Sequence, residues 1–294
     1  MNARSGPLHN NLRFERPSDN LPKTVWVAAP PKSGSTWLSM MLSWLLDWPT
    51  MSLIAKAGRQ EQELRIHKTF VSCPTDVFLP HTHTKANETT IAFVKNFKVR
   101  VIIPTRNIPD TLMSVHDHLI RMGVSIPVAF IPPTYKTMSE DKQKAILIRL
   151  VLPWYINFYA SWAYAHVEHG LRPLYVAYES MRADPTDTLR SCMRFIGLER
   201  ADEQFKAAVE QANNEPTRFN YGLVGRGMSF FSHHELNEID ATIAAMDDPI
   251  IQTALIKVTT YEDTKAPRAE GPALSSDSSN DEHRSVDAAD SSAA

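Results

Sequence analysis

A chain of 294 residues, 43% of them hydrophobic, can bury a substantial core, and a formal charge of −2 gives no electrostatic case for general nucleic-acid binding. Two cysteines, Cys73 and Cys192, exclude a disulfide framework, and neither stands in a metal-ligand spacing such as C-x-x-C. That usage suits a reducing compartment, so a cytoplasmic protein is expected.

Residues 1–20 hold no apolar run of signal-peptide length and read as an N-terminal extension. A single folded domain is expected over 21–264, with no fixed-period repeat of the solenoid kind. It opens on "TVWVAAP" at 24–30, a buried strand, followed by "GSTWLSMMLSWLLDW" at 34–48, whose spacing predicts a helix with Trp37, Met41, Trp44, Leu45 and Trp48 on one face. Between them lies "PPKSGSTW". A Walker-type phosphate loop reads G-x-x-x-x-G-K-[ST], whereas here Lys32 precedes the loop's only glycine, Gly34. The physics still points to an anion. Backbone N–H groups from Ser33 to Trp37 open a helix, so unpaired donors and the positive end of the helix dipole converge there. Lys32 adds a mobile cation, Ser33, Ser35 and Thr36 add hydroxyl donors, and Trp37 offers an aromatic face to a base. The bland alternative is a strand-to-helix turn with a solvated lysine.

"VRVIIPTR" at 99–106 predicts a second buried strand, followed by the helix "DTLMSVHDHLIRM". Arg106 leaves the strand end and Ser114 lies on the helix, which makes a second place to grip a phosphate. "GVSIPVAFIPPTYKTM" at 123–138 is an apolar, proline-rich loop, read as a lid or acceptor pocket with Phe130 and Tyr135 as contacts, or as plain packing. "AILIRLVLPWYINFYASWAYA" at 145–165 is interrupted by Arg149, Pro153 and Asn157 and reads as a buried core helix, not a membrane span. "PLYVAYESM" at 173–181 is a third strand. After it, Asp184 caps a helix with Pro185 at its first position. From Lys265 the chain is Ser-, Ala- and Asp-rich without aromatic residues, so 265–294 is expected to be disordered.

Strands alternating with helices imply an α/β fold: a central parallel sheet flanked by helices on both faces, with P-loop-like nucleotide-binding architecture. Ligands bind such sheets beyond the carboxyl ends of the strands. Two anion sites at one sheet edge suggest a doubly phosphorylated ligand.

"PPKSGSTWL" resembles the 5′-phosphosulfate loop, and "RNIPDTLMS" the 3′-phosphate motif, of sulfotransferases that use 3′-phosphoadenosine 5′-phosphosulfate (PAPS). "LYVAYESMRADPTDTLRSCMRFIGL" at 174–198 is similar to a further segment of the cytosolic-type family and puts Tyr178 near the nucleotide. "GLVGRGMSFFS" at 222–232 is similar to the glycine-rich segment that closes over the 3′-phosphate, which brings Gly222 into the cofactor site. Asn220 and Tyr221 stand where the family has an Arg-Lys pair and Gly227 where it has tryptophan, so Arg218 or Arg226 is expected to supply the charge. In "VFLPHTHTK", His83 lies 23 residues before Arg106 and matches the histidine of the family's K-T-H motif, the general base, while His81 takes the lysine position. His67 in "RIHKTFVSCP" is the rival.

The resemblance implies transfer of a sulfuryl group from PAPS to a hydroxyl or amine of a small acceptor: an alcohol, a phenol, a sugar or a lipid head group. His83 takes the acceptor's proton and Lys32 meets the charge growing on the leaving oxygen. No metal-ligand cluster is visible in the sequence and the transfer calls for none, unlike phosphoryl transfer with magnesium. The alternatives are a catalytically inactive PAPS-binding protein and a P-loop kinase, the latter opposed by the absence of G-K-[ST]. The family's dimer pattern is not matched in "MSFFSHHELN", which leaves the oligomeric state open.

Overall fold

The computed structural model describes residues 24–48, 50–51, 53–54, 61–64, 79–215 and 224–252. The expected N-terminal extension, the tail from 265, His67, Cys73, Arg218 and Gly222 lie outside the described residues. Among the described residues five strands form one sheet: β1 (Val25–Ala28), β2 (Thr50–Met51), β3 (Leu79–Thr82), β4 (Arg100–Thr105) and β5 (Leu174–Ala177), in the order β2-β3-β1-β4-β5. All pairings are parallel.

β1 sits at the centre and is buried on both faces, which is why its sequence is continuously apolar and does not alternate. Its side chains still divide by the two-residue period of a strand. Trp26 and Ala28, with Val101 and Ile103 of β4, enter one core, which also takes side chains from α2 (Glu88–Asn96), α3 (Ile108–Met122) and α5 (Leu152–His169). Val25, Val27 and Ile102 enter the other, under α1 (Ser35–Leu46), α7 (Pro185–Ile196) and α8 (Asp202–Asn214). The expected α/β architecture, a parallel sheet flanked by helices on both faces, is the one observed.

Three local expectations meet corrections or refinements. On α1 the buried stripe is centred on Leu38, Met41, Leu42 and Leu45, while Trp44 is 50% exposed. At about 100° per residue Trp44 falls beyond the edge of that stripe. The third strand ends at Ala177, and Tyr178 opens a short helix, α6 (Tyr178–Ala183). The apolar stretch at 145–165 is helical but not continuous. It passes from α4 (Glu140–Ile146) through a π-helical segment, Leu147–Val151, into α5. Pro153 has no N–H to continue the ladder, and the turn before it widens so that Leu152 N–H reaches the carbonyl of Leu147. Among the described residues no helix is long and apolar enough to cross a membrane. Asp184 caps α7 as expected, accepting from the N–H of Asp187.

Past the described gap at 216–223, α9 (Arg226–Phe230) lies on the first turn of α3, and α10 (His233–Ala244) follows with a Ser232/Glu235 capping box. The Asp110 carboxylate, 2% exposed, accepts from Gly225 N–H at 2.7 Å and Gly227 N–H at 2.6 Å. The approach is so close that a Cβ on Gly227 would stand 2.2 Å from the carbonyl carbon of Pro109 and 2.4 Å from Asp110 N. Glycine at this position, where the family has tryptophan, is therefore required by backbone contact. Gly227→Ala should destabilise the protein by about 1–3 kcal/mol, as overpacking against rigid backbone does; urea unfolding measures it, and an unchanged midpoint would contradict the packing.

Candidate active site

Four strands deliver the site from their carboxyl ends: the loop at 29–34 from β1, His83 from β3, Arg106 from β4 and Tyr178 from β5. Register makes these ends level. Ala28 pairs with Thr82, and Thr105 with Ala177, so the residues that follow emerge side by side.

The loop is held rigidly. Lys32 (φ 65°) and Gly34 (φ 84°) both adopt left-handed conformations. Gly34 has a second reason to be glycine: a Cβ there would meet Tyr178 Cδ2 at 2.4 Å. Tyr155 of α5, wholly buried, donates its hydroxyl to Pro31 O at 2.6 Å, and Ser33 donates its hydroxyl to Pro30 O at 2.8 Å. Ser33 thus braces the loop with the hydroxyl that the sequence suggested for the anion. Ser35 is 3% exposed and Thr36 is exposed. Trp37 is 5% exposed, its indole N–H bonded to Asn213 Oδ1 at 3.0 Å and the Arg182 guanidinium 5.5 Å over its ring. Its ring belongs to the core under α8, so the aromatic face expected to meet a base is instead packed.

Arg106 joins the loop to the second element. It is 8% exposed, donates from Nη1 to Lys32 O at 3.1 Å and lies 4.4 Å over the Tyr178 ring. Its Nε is one of three buried side-chain polar atoms, among the described residues, that lack a hydrogen-bond partner. The other two, Ser39 Oγ and Trp154 Nε1, belong to residues packed within helices. A desolvated guanidinium with an unused donor calls for an acceptor, because an unsatisfied buried donor costs about 1–3 kcal/mol. Asn107 caps α3, and its own N–H is fixed by the Glu179 carboxylate at 3.0 Å, a carboxyl whose pKa burial raises. Ser114, 4% exposed, stands one turn beyond Asp110 on α3. Arg226 differs from expectation: its guanidinium is drawn to Asp117 Oδ2 at 3.0 Å, because α9 docks along α3.

His83 Nδ1 lies 2.7 Å from Ala29 O, and its backbone N–H donates to Gln62 Oε1 at 2.6 Å. A carbonyl only accepts, so Nδ1 carries the proton and Nε2 is the basic nitrogen of the neutral ring. His81, edge-on to His83 with ring centroids 5.5 Å apart, places Nε2 at 2.9 Å from Ser35 Oγ. Burial, and less strongly the neighbouring His83, depress its pKa to about 3, so His81 is neutral near pH 7. Of the two residues expected to touch an acceptor, Phe130 is 72% exposed, whereas Tyr135 is wholly buried with its hydroxyl on His116 Nδ1 at 3.0 Å. Tyr135 is therefore part of the core and not of an acceptor surface. Among the described residues no group of three or more His, Cys, Asp or Glu is arranged to hold a metal.

A sulfotransferase-domain family model matches residues 22–225. The chain belongs to the PAPS-dependent sulfotransferase family. Sulfotransferase architecture is also what its structural neighbours share. A mouse sulfotransferase solved with PAP, 15% identical, superposes with a TM-score of 0.59 over 80% of this chain and 89% of that one. A retinol dehydratase solved with androsterone and the inactive cofactor PAP gives 0.54 at 13% identity, over 84% and 83% of the two chains. The same kind of enzyme solved with retinol and PAP gives 0.52 at 12% identity, over 81% and 82%. Comparison by sequence with curated proteins gives no match.

Sequence reasoning missed Tyr155, Asp110 and Gln62, the side chains that fix this sulfotransferase's loop, glycine segment and candidate base. Their sequence positions carry no local sign of those long-range partners. The neutral His81 has a consequence for stability. The unfolded ring, with a pKa near 6.5, binds a proton that the folded ring refuses, so stability is complete above about pH 6.5 and falls as pH drops toward 3. His116, also depressed chiefly by burial, adds the same sign. His81→Gln should flatten the slope of unfolding free energy in that window by up to about 1.4 kcal/mol per pH unit, the equivalent of one proton; an unaltered slope in urea titrations at successive pH values would contradict it.

Proposed function

We propose that this sulfotransferase moves the sulfuryl group of PAPS to the hydroxyl of a small acceptor, with His83 as general base. PAPS and its product PAP lie across the two anion elements. The N–H groups at the start of α1, Lys32, Ser35 and Thr36 hold the phosphosulfate end, Arg106 and Ser114 hold the 3′-phosphate, and Tyr178 borders the nucleotide. Gly222 and Arg226 belong to the glycine-rich segment beside it. The observation that carries the reading is the buried Arg106, bonded to the loop carbonyl of Lys32 while its Nε has no protein acceptor. The PAP named with three structural neighbours agrees with such a ligand.

In the reaction the acceptor oxygen attacks sulfur in line with the bond to the phosphate oxygen. That bond breaks, the acceptor proton passes to His83 Nε2, and PAP leaves carrying the electron pair. The Ala29 carbonyl favours this role by keeping the proton on Nδ1, which leaves Nε2 able to accept. Lys32 and the α1 N-terminus meet the charge that grows on the leaving oxygen. The androsterone and retinol named with two neighbours are small apolar alcohols. An acceptor of that kind, alcohol or phenol, fits the apolar loop at 123–132 with the exposed Phe130.

Two experiments test this. Arg106→Ala should weaken PAP binding by about 1.5–3 kcal/mol, the worth of charge-assisted hydrogen bonds, while binding of adenosine 5′-phosphate changes little. Equal losses for both nucleotides would remove Arg106 from the 3′-phosphate. His83→Ala should leave PAP affinity nearly intact while labelled-sulfate transfer to a panel of alcohols and phenols falls by about 10²- to 10⁴-fold. A wild-type protein that binds PAP yet transfers to no acceptor would favour a catalytically inactive binding protein; a fully active His83→Ala variant would remove the base.

A further inference from the structure

Ser35 is the first residue of α1, where the helix N–H groups gather, and its hydroxyl stands 2.9 Å from Nε2 of His81. The pairing is fixed by backbone. β3 lies parallel to β1 with His81 opposite Val27, and a Thr82 hydroxyl held by Trp26 Nε1 at 3.0 Å and Thr84 Oγ1 at 2.9 Å keeps the strand end from shifting. A neutral imidazole has one donor and one acceptor nitrogen, and two arrangements of this pair are open. With the proton on Nδ1, Ser35 spends its hydroxyl proton on Nε2. With the proton on Nε2, His81 donates to Ser35 Oγ, and the Ser35 proton turns toward the helix entrance. An anion there selects the second arrangement, since only that one offers it a donor, and aligned donors strengthen one another.

We propose that His81 is a positioning residue for sulfuryl transfer: by donating from Nε2 to Ser35, it presents the Ser35 hydroxyl as a hydrogen-bond donor to the sulfonate of PAPS. This rests on the reading that the loop at 32–37 holds the phosphosulfate end. The site then meets the sulfonate at this point with a neutral donor chain. Burial keeps His81 uncharged across the working range, so the chain delivers a fixed dipole without adding a cation. No proton leaves either residue.

PAP lacks the sulfonate, which makes it the internal control. The ratio of PAPS to PAP affinity is measured by titrating wild type, His81→Leu, His81→Gln and Ser35→Ala with each nucleotide, without any acceptor. His81→Leu should lower the ratio about two- to tenfold, the loss of the hydrogen bond that aligns the Ser35 donor. His81→Gln, whose side-chain N–H₂ can donate to Ser35, should restore it. Ser35→Ala should lower it at least as far, and His81→Leu in that background should add little. Equal losses of PAPS and PAP affinity in His81→Leu would show a brace for the loop and overturn the proposal, as would an unchanged ratio. Thermal melts of each variant identify any that fails to fold, for which His81→Gln and Ser35→Ala carry the test. A wild-type protein that does not bind PAP defeats the nucleotide reading itself; one that binds PAP but shows no His81 effect defeats only this inference.

Discussion

Arg106 donates from Nη1 to the carbonyl of Lys32, and the geometry around the site follows from what that bond demands. A guanidinium that is 8% exposed needs partners, because a buried charge left unpaired costs several kcal/mol. One partner is a loop carbonyl, presented by a lysine in a left-handed conformation. Another is the face of Tyr178, and that ring comes close enough only because Gly34 has no side chain to keep it out. The two elements that sequence places some seventy residues apart are therefore one rigid unit.

Register does the rest. Ala28 opposite Thr82 sets Ala29 beside His83, and the hydrogen bond from His83 Nδ1 to Ala29 O is the result. Thr105 opposite Ala177 sets Arg106 beside Tyr178, and their stacking is the result. Sliding β3 or β5 by one residue would turn each side chain to the opposite face, so the arrangement of the candidate site and the division of the two cores are specified together. The pairing that buries Val27 and Trp26 on opposite sides also aims His83.

This explains how much was legible in the sequence. β1, β4 and the cap of α7 could be read because their signals are local: continuous apolar residues in a doubly covered strand, and Asp184 before Pro185 at a helix start. The strand-to-helix loop between β1 and α1 could be read because Gly34 stands at the helix start with a left-handed backbone. The end of β5 could not, since "VAYESM" keeps strand-like apolar residues and only the contacts of Tyr178 with Gly34 and of Glu179 with Asn107 turn it into a helix. Tyr155 and Asp110 were invisible for the same reason. Their partners lie 124 residues away at Pro31 and 115 and 117 residues away at Gly225 and Gly227. Trp44 was misjudged because a periodicity gives the width of a buried stripe more surely than its centre, and the centre is set by where α8 packs.

The acidic residues on α3 give the last step. Asp110 is a buried carboxylate near Arg106, and a negative charge there opposes a phosphate in the same place. The fold answers it locally, with two backbone N–H groups on its oxygens, and answers Asp117 with Arg226. Both acids thereby have their partners on α9 and the residue before it. The glycine-rich segment thus has a structural use that does not depend on touching phosphate: its Gly225 and Gly227 N–H groups satisfy the buried Asp110 carboxylate. Its departure from the family pattern at Gly227 follows, because a side chain there would break the contact that holds Asp110 in check.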